Sequence, residues 1–214
     1  MNDRVKKYFG AEANAFDSIY SGEKSRFAVW LDRVLRGDMS ARFHEAVREC
    51  GAVRGVEILD VGCGSGRYAV ELAKRGAVVT GVDTAGEMLA IAKRLARDAG
   101  LLERCSFIEG DFTSLPLDRI FSVTLAIGFF DYTADPVPCL CKMRRLTRGR
   151  LIATFPRAWT WRAPLRKIRL ALSGCPVRFY TRRRVDELMR ESGWQSWNVR
   201  KIGKLHFVVA RSGK

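Results

Sequence analysis

Three glycines at alternate positions lie in the stretch DVGCGSG, which runs from Asp60 to Gly66. A short apolar strand is predicted before this stretch, and the residues after it have helical periodicity. A glycine turn between a strand and a helix surrounds a bound group with backbone N–H donors and with the positive end of the helix dipole. A phosphate, a dinucleotide or a sulfonium nucleoside could bind there, and the neighbouring residues distinguish between these ligands.

The spacing and the charges argue against a phosphate ligand. Dinucleotide-binding proteins have the pattern G-x-G-x-x-G, whereas Gly62, Gly64 and Gly66 follow G-x-G-x-G. Asp60 would repel a pyrophosphate, but its carboxylate can accept a hydrogen bond from an ammonium group. The lysine of a P-loop is also missing, because Arg67 follows the last glycine. The turn is therefore predicted to bind an uncharged nucleoside.

Two further carboxylates follow the next two predicted strands. Asp83 ends the strand AVVTGVD, and its two oxygens can accept hydrogen bonds from both ribose hydroxyls. Asp111 ends the strand CSFIEGD, where its carboxylate or the neighbouring backbone can meet an adenine amino group. Open α/β sheets bind ligands at the carboxyl ends of their strands. Asp60, Asp83 and Asp111 therefore predict a single nucleoside site.

Strands and amphipathic helices alternate through most of the chain, which is typical of a parallel sheet with helices on both faces. Predicted strands are VEILDV, AVVTGVD, CSFIEGD, RIFSVTLAIG and RLIATF, and the intervening helices are RYAVELAKRG, GEMLAIAKRLARDAG and DPVPCLCKMRRL. The last two strands, QSWNVRKIG and KLHFVVAR, follow a helix and are separated only by a glycine turn, so they must be antiparallel. The predicted fold is α/β: a doubly wound, mostly parallel seven-stranded sheet with a C-terminal antiparallel hairpin.

Residues 56–155 resemble the class I S-adenosylmethionine-dependent methyltransferases, and LDVGCGSGR is close to that family's most specific motif. The resemblance implies a Rossmann-like methyltransferase fold with S-adenosyl-L-methionine as cofactor. Together with the turn itself, it assigns cofactor-binding roles to Asp60, Gly62, Cys63, Gly64 and Gly66, to Asp83 at the ribose, to Thr84 and Met88 near the adenine, to Asp111 and Phe112 at its rim, and to Ala126 and Ile127 at the methionine part. Residues 1–50 are interpreted as a helical lid, from which Tyr20 would pack against the cofactor, and residues 51–214 as the methyltransferase domain.

The loop after the fourth strand, AIGFFDYTADP, is expected beside the transferred methyl group. It lacks the N-P-P-Y/F motif of DNA adenine and glutamine methyltransferases. Pro138-Cys139 partly matches the Pro-Cys motif of RNA cytosine-C5 enzymes, but it falls on the following helix, so a nucleophilic Cys139 is not expected. Asp131 and Tyr132 are the catalytic candidates, as a base or as hydrogen-bond partners that orient the acceptor. The alternative is a loop-capping aspartate and a packing tyrosine.

A wider resemblance covers most of the chain. In order and spacing, YFGAEANAFDSIYSG, FPRAWTWRAPLRKIRLAL, RFYTRRRVDELMRESGW and HFVVAR resemble the magnesium-protoporphyrin IX methyltransferases. That family methylates a propionate carboxylate on a lipophilic macrocycle at a membrane surface. Asp131-Tyr132 replaces a His-Tyr pair of that family, so another acid or a phenol fits the sequence as well as a tetrapyrrole does.

The positive charge is concentrated in the last third of the chain. The net charge is +15, and the residues from Lys142 onward contain 20 Lys and Arg but only three acids. This imbalance suggests an anionic partner: nucleic acid, a membrane surface or an acidic substrate. Within it, a basic insert at about residues 156–180 combines tryptophans with one apolar helical face. It could cap the acceptor pocket, lie on an anionic membrane or pack on the core with snorkelling arginines.

Neither a metal site nor a disulfide framework is expected. None of the six cysteines forms a CxxC pair, Cys139-x-Cys141 would chelate poorly, and only two histidines are present. The apolar runs are shorter than the roughly 20 residues that span a bilayer, and the first residues lack a signal-peptide pattern. These features predict a cytoplasmic protein. Peripheral contact with an anionic membrane through the insert is an alternative to a cap over the acceptor.

The sequence therefore predicts a methyltransferase that acts on a small lipophilic or acidic molecule, with O-methylation as the expected reaction. The alternative is an RNA methyltransferase whose basic C-terminal third binds phosphates. Nucleic acid is the less favoured partner, because no motif of those enzymes is complete. A non-catalytic protein that keeps the fold as a scaffold is a third interpretation, and the intact Asp60, Gly62, Gly64, Gly66 and Asp83 argue against it.

Overall fold

A computed structural model describes residues 39–158 and 178–213. The strands are β1 (Glu57–Val61), β2 (Val78–Asp83), β3 (Cys105–Glu109), β4 (Phe121–Ala126), β5 (Thr147–Pro156), β6 (Ser196–Ile202) and β7 (Leu205–Arg211). The helices are α1 (residues 39–50), α2 (Arg67–Lys74), α3 (Gly86–Asp98), α4 (Pro136–Leu146) and α5 (Arg182–Glu191), with 3-10 turns at Leu102–Arg104 and Phe129–Asp131. Tyr20 and residues 159–177 of the insert lie outside the described residues.

One seven-stranded sheet organises the described residues, in the order β3-β2-β1-β4-β5-β7-β6. β1 to β5 pair in parallel, whereas β7 pairs antiparallel with both β5 and β6. The strand order reverses between β1 and β4, which is the switch point where open α/β sheets bind ligands. The predicted doubly wound sheet with a C-terminal antiparallel hairpin is confirmed.

Apolar side chains from alternate strand positions pack on opposite faces of the sheet. Leu59 and Val61 point to the face covered by α4 and α5, and Ile58 points to the face covered by α1, α2 and α3. Such alternation follows from the two-residue period of a strand. Because both faces are covered, the central parallel strands are buried, and their sequences are almost continuously apolar.

Three predicted strands have other bounds in the structure, and the fourth strand, predicted as RIFSVTLAIG, is two residues shorter at each end. The third strand ends at Glu109 rather than at Asp111, so Asp111 lies in the loop that follows. The fifth strand begins at Thr147, three residues before the predicted RLIATF, because α4 leads into it without a loop. The Thr147 hydroxyl stabilises this junction: it donates to the Met143 carbonyl at 2.6 Å and lies 2.6 Å from the Thr124 hydroxyl.

Both ends of the segment 159–177 lie at the carboxyl end of β5. The Ala158 backbone N–H donates to the Tyr180 carbonyl at 2.9 Å, so the chain leaves and returns at adjacent points. The Arg178 backbone N–H donates to the Asp131 carbonyl, also at 2.9 Å. The insert is thereby joined to the loop after β4, on the edge of the sheet where ligands are expected.

Candidate functional site

A cleft of about 280 Å³ lies at the carboxyl ends of β1 and β2. Five of the predicted cofactor-binding residues line it: Gly62, Asp83, Thr84, Asp111 and Phe112. The opposite wall is formed by the loop after β4 and by the first turn of α4. The structure therefore brings together the glycine turn and two of the three predicted carboxylates, Asp83 and Asp111.

The glycine turn has a backbone that other residues adopt with strain. Gly62 and Gly66 have φ angles of 70° and 72°, in the left-handed region. A Cβ atom at Gly62 would lie 2.9 Å from Cδ2 of Phe129, and one at Gly66 would lie 2.7 Å from Cβ of Ala92 in α3. The glycines thus allow both the turn itself and the close packing of a ring and a helix against it.

Asp83 ties the end of β2 to this turn. Its Oδ2 accepts a hydrogen bond from the Gly64 backbone N–H at 2.8 Å, and its Oδ1 accepts one from the Ala85 backbone N–H at 2.9 Å. Burial raises the pKa of Asp83, although these hydrogen bonds lower it. Each carboxylate oxygen keeps a further lone pair, so the predicted hydrogen bonds to ribose hydroxyls are compatible with this geometry.

Two buried polar atoms at the site have no hydrogen-bond partner within the described chain: Oδ2 of Asp60 and Oγ1 of Thr84. Asp60 is 2% exposed, and burial together with the negative charge of Asp83 raises its pKa to about 7. A buried carboxylate without a partner is costly, and a cationic group beside it removes that cost. These orphaned atoms fit a nucleoside that carries an ammonium group, such as S-adenosylmethionine.

Arg42 is a candidate cofactor ligand that the sequence interpretation missed. It lies on α1, and its Nη1 atom is 3.7 Å from the point that a Cβ atom of Gly128 would occupy, just after β4. Burial raises the pKa of Tyr68 to about 12, and the nearby positive charge of Arg42 lowers it in part. The buried Nε of Arg42 has no partner in the described residues. A guanidinium there could bind the carboxylate of the cofactor's methionine part. No local motif marks this arginine, because only the fold brings α1 next to β4.

Seven other predicted cofactor residues of the described chain do not line the cleft: Asp60, Gly64 and Gly66 of the turn, and the buried Cys63, Met88, Ala126 and Ile127. A Cβ atom at Gly81 would lie 2.8 Å from Sγ of Cys63, so this thiol points into the sheet. Cε of Met88 lies 3.4 Å from the corresponding point at Gly64, which places Met88 underneath the turn. Met88 therefore supports the turn from the core.

The catalytic candidates Asp131 and Tyr132 flank the cleft without lining it, whereas their neighbours Phe129 and Thr133 line it. Asp131 is 5% exposed, and its carbonyl accepts the hydrogen bond from Arg178 described above. The catalytic role of both residues stays a prediction. Cys139 does line the cleft, but burial raises the pKa of its thiol to about 11, which disfavours a nucleophilic thiolate.

The arginines at the start of α5 form ion pairs with acids of the same helix. Arg182 pairs with Asp186 at 2.8 Å, Arg183 with Glu187 at 3.0 Å, and Arg184 with Glu191 at 2.9 Å. The pairs of Arg182 and Arg183 have the i,i+4 spacing that stabilises helices, and Arg184 also pairs with Glu187 at i,i+3. The three acids of the basic third are therefore all paired with these arginines, which reduces the positive charge left for an anionic partner.

Neither a metal cluster nor a membrane span is found within residues 39–158 and 178–213. No group of three or more histidine, cysteine, aspartate or glutamate side chains could hold a metal ion there. No helix of this part is long and apolar enough to cross a bilayer.

Comparison with known proteins identifies the domain. Residues 58–149 match the family model described as "Methyltransferase domain". Cycloartenol-C-24-methyltransferase 1 of Oryza sativa subsp. japonica is 32% identical over 157 residues, which cover 72% of this chain and 45% of that protein. A mitochondrial ubiquinone biosynthesis O-methyltransferase of Schizosaccharomyces pombe is 32% identical over 168 residues, covering 74% and 61% of the two chains. The chain spans about half the length of the sterol methyltransferases that it matches.

The solved structures agree on the fold. The magnesium protoporphyrin IX methyltransferase of Synechocystis PCC 6803, with bound SAH, superposes with a TM-score of 0.76 over 98% of both chains at 18% identity. A likeness at this identity establishes the architecture, and the motif and the domain match add the family. Residues 58–149 therefore form a methyltransferase domain, and the sheet has the Rossmann-like architecture of the solved methyltransferase.

Proposed function

We propose that this protein transfers the methyl group of S-adenosylmethionine to an oxygen of a small lipophilic or acidic molecule. The observation that carries the proposal is the cleft itself, which Gly62 of the glycine turn, Asp83 and Asp111 line. Behind it, Oδ2 of the buried Asp60 has no partner in the described residues, which favours a ligand with a cationic group. Relatives named for sterol, ubiquinone and porphyrin methylation support a small-molecule acceptor. The ubiquinone enzymes are named as O-methyltransferases, which supports oxygen as the acceptor atom.

The residues of the site favour transfer by positioning. S-adenosylmethionine supplies a methyl group on a sulfonium sulfur, whose charge disappears on transfer. Asp83 and the turn would orient the nucleoside, and Asp60 and Arg42 would bind the amino and carboxylate groups of its methionine part. Phe112 and Phe129 line the cleft, and their rings would shield a bound nucleoside from water. Holding two reactants in line supplies a large part of such a rate enhancement.

A general base is required only if the acceptor carries a proton. Asp131 and Tyr132 are the candidates, because their loop borders the cleft and their neighbour Thr133 lines it. A carboxylate acceptor is already ionised at neutral pH and needs no base. The attachment of the insert beside Asp131 supports a cap over the acceptor. We further propose a cytoplasmic enzyme that contacts anionic membranes through this insert.

The test is methyl transfer from labelled S-adenosylmethionine in an extract of the native cells. The expected result is label in organic-soluble or aqueous small molecules, and base-labile label would indicate a methyl ester. Asp83→Ala, which removes the proposed ribose ligand, is expected to lose the labelling, whereas Asp98→Ala on the exposed part of α3 is not. RNase-sensitive label in the acid-insoluble fraction would instead support an RNA methyltransferase and overturn the proposal.

A further inference from the structure

Two walls of the cleft come from different parts of the chain. One wall is the loop after β3, through residues 110–113. The other wall is the start of α4, through Asp135, Pro138 and Cys139. The loop follows the strand next to Asp83, so these walls enclose the base of the bound nucleoside under the proposed function. Their separation decides which base fits.

Lys142 joins these two walls. It lies on α4, one turn after Pro138 and Cys139, and its ammonium group reaches the carbonyl oxygens of the loop. Its Nζ donates to the Phe112 carbonyl at 2.6 Å and to the Thr113 carbonyl at 3.3 Å. A third hydrogen bond goes to the Leu115 carbonyl. The three N–H donors of the ammonium are therefore all used by one loop.

The chemistry of this contact makes it a strong one. Hydrogen bonds from an ionised donor are stronger than those between neutral groups. Nζ also lies 5.0 Å from the ring centroid of Phe112, within the range of a cation–π interaction. Phe112 also lines the cleft. The three carbonyl oxygens of the loop can only accept hydrogen bonds, so they cannot bond to one another. The Lys142 ammonium supplies the donors that they need.

We propose that Lys142 is a positioning residue that sets the width of the nucleobase end of the cleft and thereby the affinity and base selectivity for the cofactor. The residue acts through the loop and does not touch the nucleoside. The inference rests on the proposed function, since it concerns the same cleft. It adds a determinant that lies outside the glycine motif and the strand-end carboxylates.

The experiment compares Lys142→Met with Arg145→Met by calorimetry. Arg145 is exposed on the same helix, so its replacement removes one positive charge nearby without touching the loop. We expect Lys142→Met to bind S-adenosylhomocysteine and 5′-methylthioadenosine roughly tenfold more weakly, by a similar factor for both, because both contain the adenosine. Arg145→Met is expected to bind both as the wild type does. Lys142→Arg, which keeps the charge and the donors, should restore most of the affinity.

Base selectivity separates positioning from a general loss of stability. With S-inosylhomocysteine as the second ligand, we expect the wild type to discriminate against hypoxanthine more strongly than Lys142→Met does. A lower melting temperature with unchanged affinity and unchanged selectivity would overturn the proposal. If Lys142→Met does not fold, Lys142→Gln, which keeps two N–H donors without the charge, provides the same comparison. Failure of the wild type to bind S-adenosylhomocysteine would instead reject the proposed function.

Discussion

At the scale of single residues, Asp60 shows how a binding site can conflict with folding. Its carboxyl is buried, its Oδ2 has no partner in the described part of the chain, and its pKa is raised to about 7 by burial and by Asp83. The unfolded chain ionises this group near 3.8. Folding therefore favours the protonated form, and the stability that this form contributes is complete below the lower pKa and is lost as the pH rises through about 7.

Asp60→Asn is expected to stabilise the ligand-free protein at high pH only. Near pH 8 the substitution removes a buried charge, and the free energy of unfolding should rise by about 1–3 kcal/mol. Near pH 4 Asp60 of the folded protein is mostly neutral, so the substitution should change the free energy of unfolding only slightly. Urea denaturation at both pH values measures this difference, with the exposed Asp98→Asn as control. Equal effects of Asp60→Asn at the two pH values would contradict the buried-charge explanation.

Arg42→Met should weaken the binding of ligands that contain the methionine part. We expect the affinity for S-adenosylhomocysteine to fall by about 1.5–3 kcal/mol, the range of hydrogen bonds to charged groups. The affinity for 5′-methylthioadenosine, which lacks the amino acid, should not change. Arg48 on the same helix is largely exposed and pairs with Glu45, so Arg48→Met is the matched control. An equal loss for both ligands would place Arg42 elsewhere in the site.

At the scale of elements, local sequence patterns were sufficient to predict the strands of the sheet. They were insufficient to predict the contacts that join helices and loops around it. Strand and helix periods predicted every element of the described sheet, and the glycine turn predicted the ligand edge. The direct passage from α4 into β5 was missed, because Arg148 and Gly149 read locally as a loop. Arg42 and Lys142 were missed as well. Their roles depend on contacts with Gly128 and with the loop after β3, and such long-range contacts leave no spacing in the sequence.

Gly62→Ala tests why the turn needs its first glycine. The φ of 70° strains any other residue, and the added Cβ would approach the Phe129 ring to 2.9 Å. We expect the free energy of unfolding to fall by roughly 2 kcal/mol or more and S-adenosylhomocysteine binding to weaken. Gly51 has a similar φ of 72° with no atom within 4 Å of a Cβ, so Gly51→Ala isolates the backbone strain. The same loss in both variants would exclude crowding by Phe129 as a cause.

At the scale of the whole molecule, charge and architecture divide the chain in different ways. The sheet is continuous from β3 to β6, yet the net charge of +15 comes from the residues after α4 begins. Part of that charge is neutralised within α5, and Arg200 pairs with Glu45 of α1 at 2.7 Å. The remaining positive charge includes the insert, whose residues 159–177 lie outside the described part. A binding experiment with an anionic partner therefore tests the role of this positive charge.

Sedimentation with anionic liposomes tests the insert. At low salt we expect the protein to pellet, and joint replacement of Arg166, Lys167 and Arg169 by alanine to abolish pelleting, because juxtamembrane cations contribute about 1 kcal/mol each. Replacement of Lys93, Arg94 and Arg97 on α3 removes as many charges and should have little effect. If the native protein stays in the supernatant at low salt, the membrane contact is excluded.

The adjacent ends of the segment 159–177 have an evolutionary consequence. Because the Ala158 N–H donates to the Tyr180 carbonyl, the chain on either side of this segment is held together whatever lies between. The entropic cost of a longer connection grows only slowly with its length. Substitutions, insertions and deletions there can accumulate without disturbing the glycine turn or Asp83. Descendants of such a chain could acquire new acceptors by exchanging this one segment while inheriting the methyl donor unchanged.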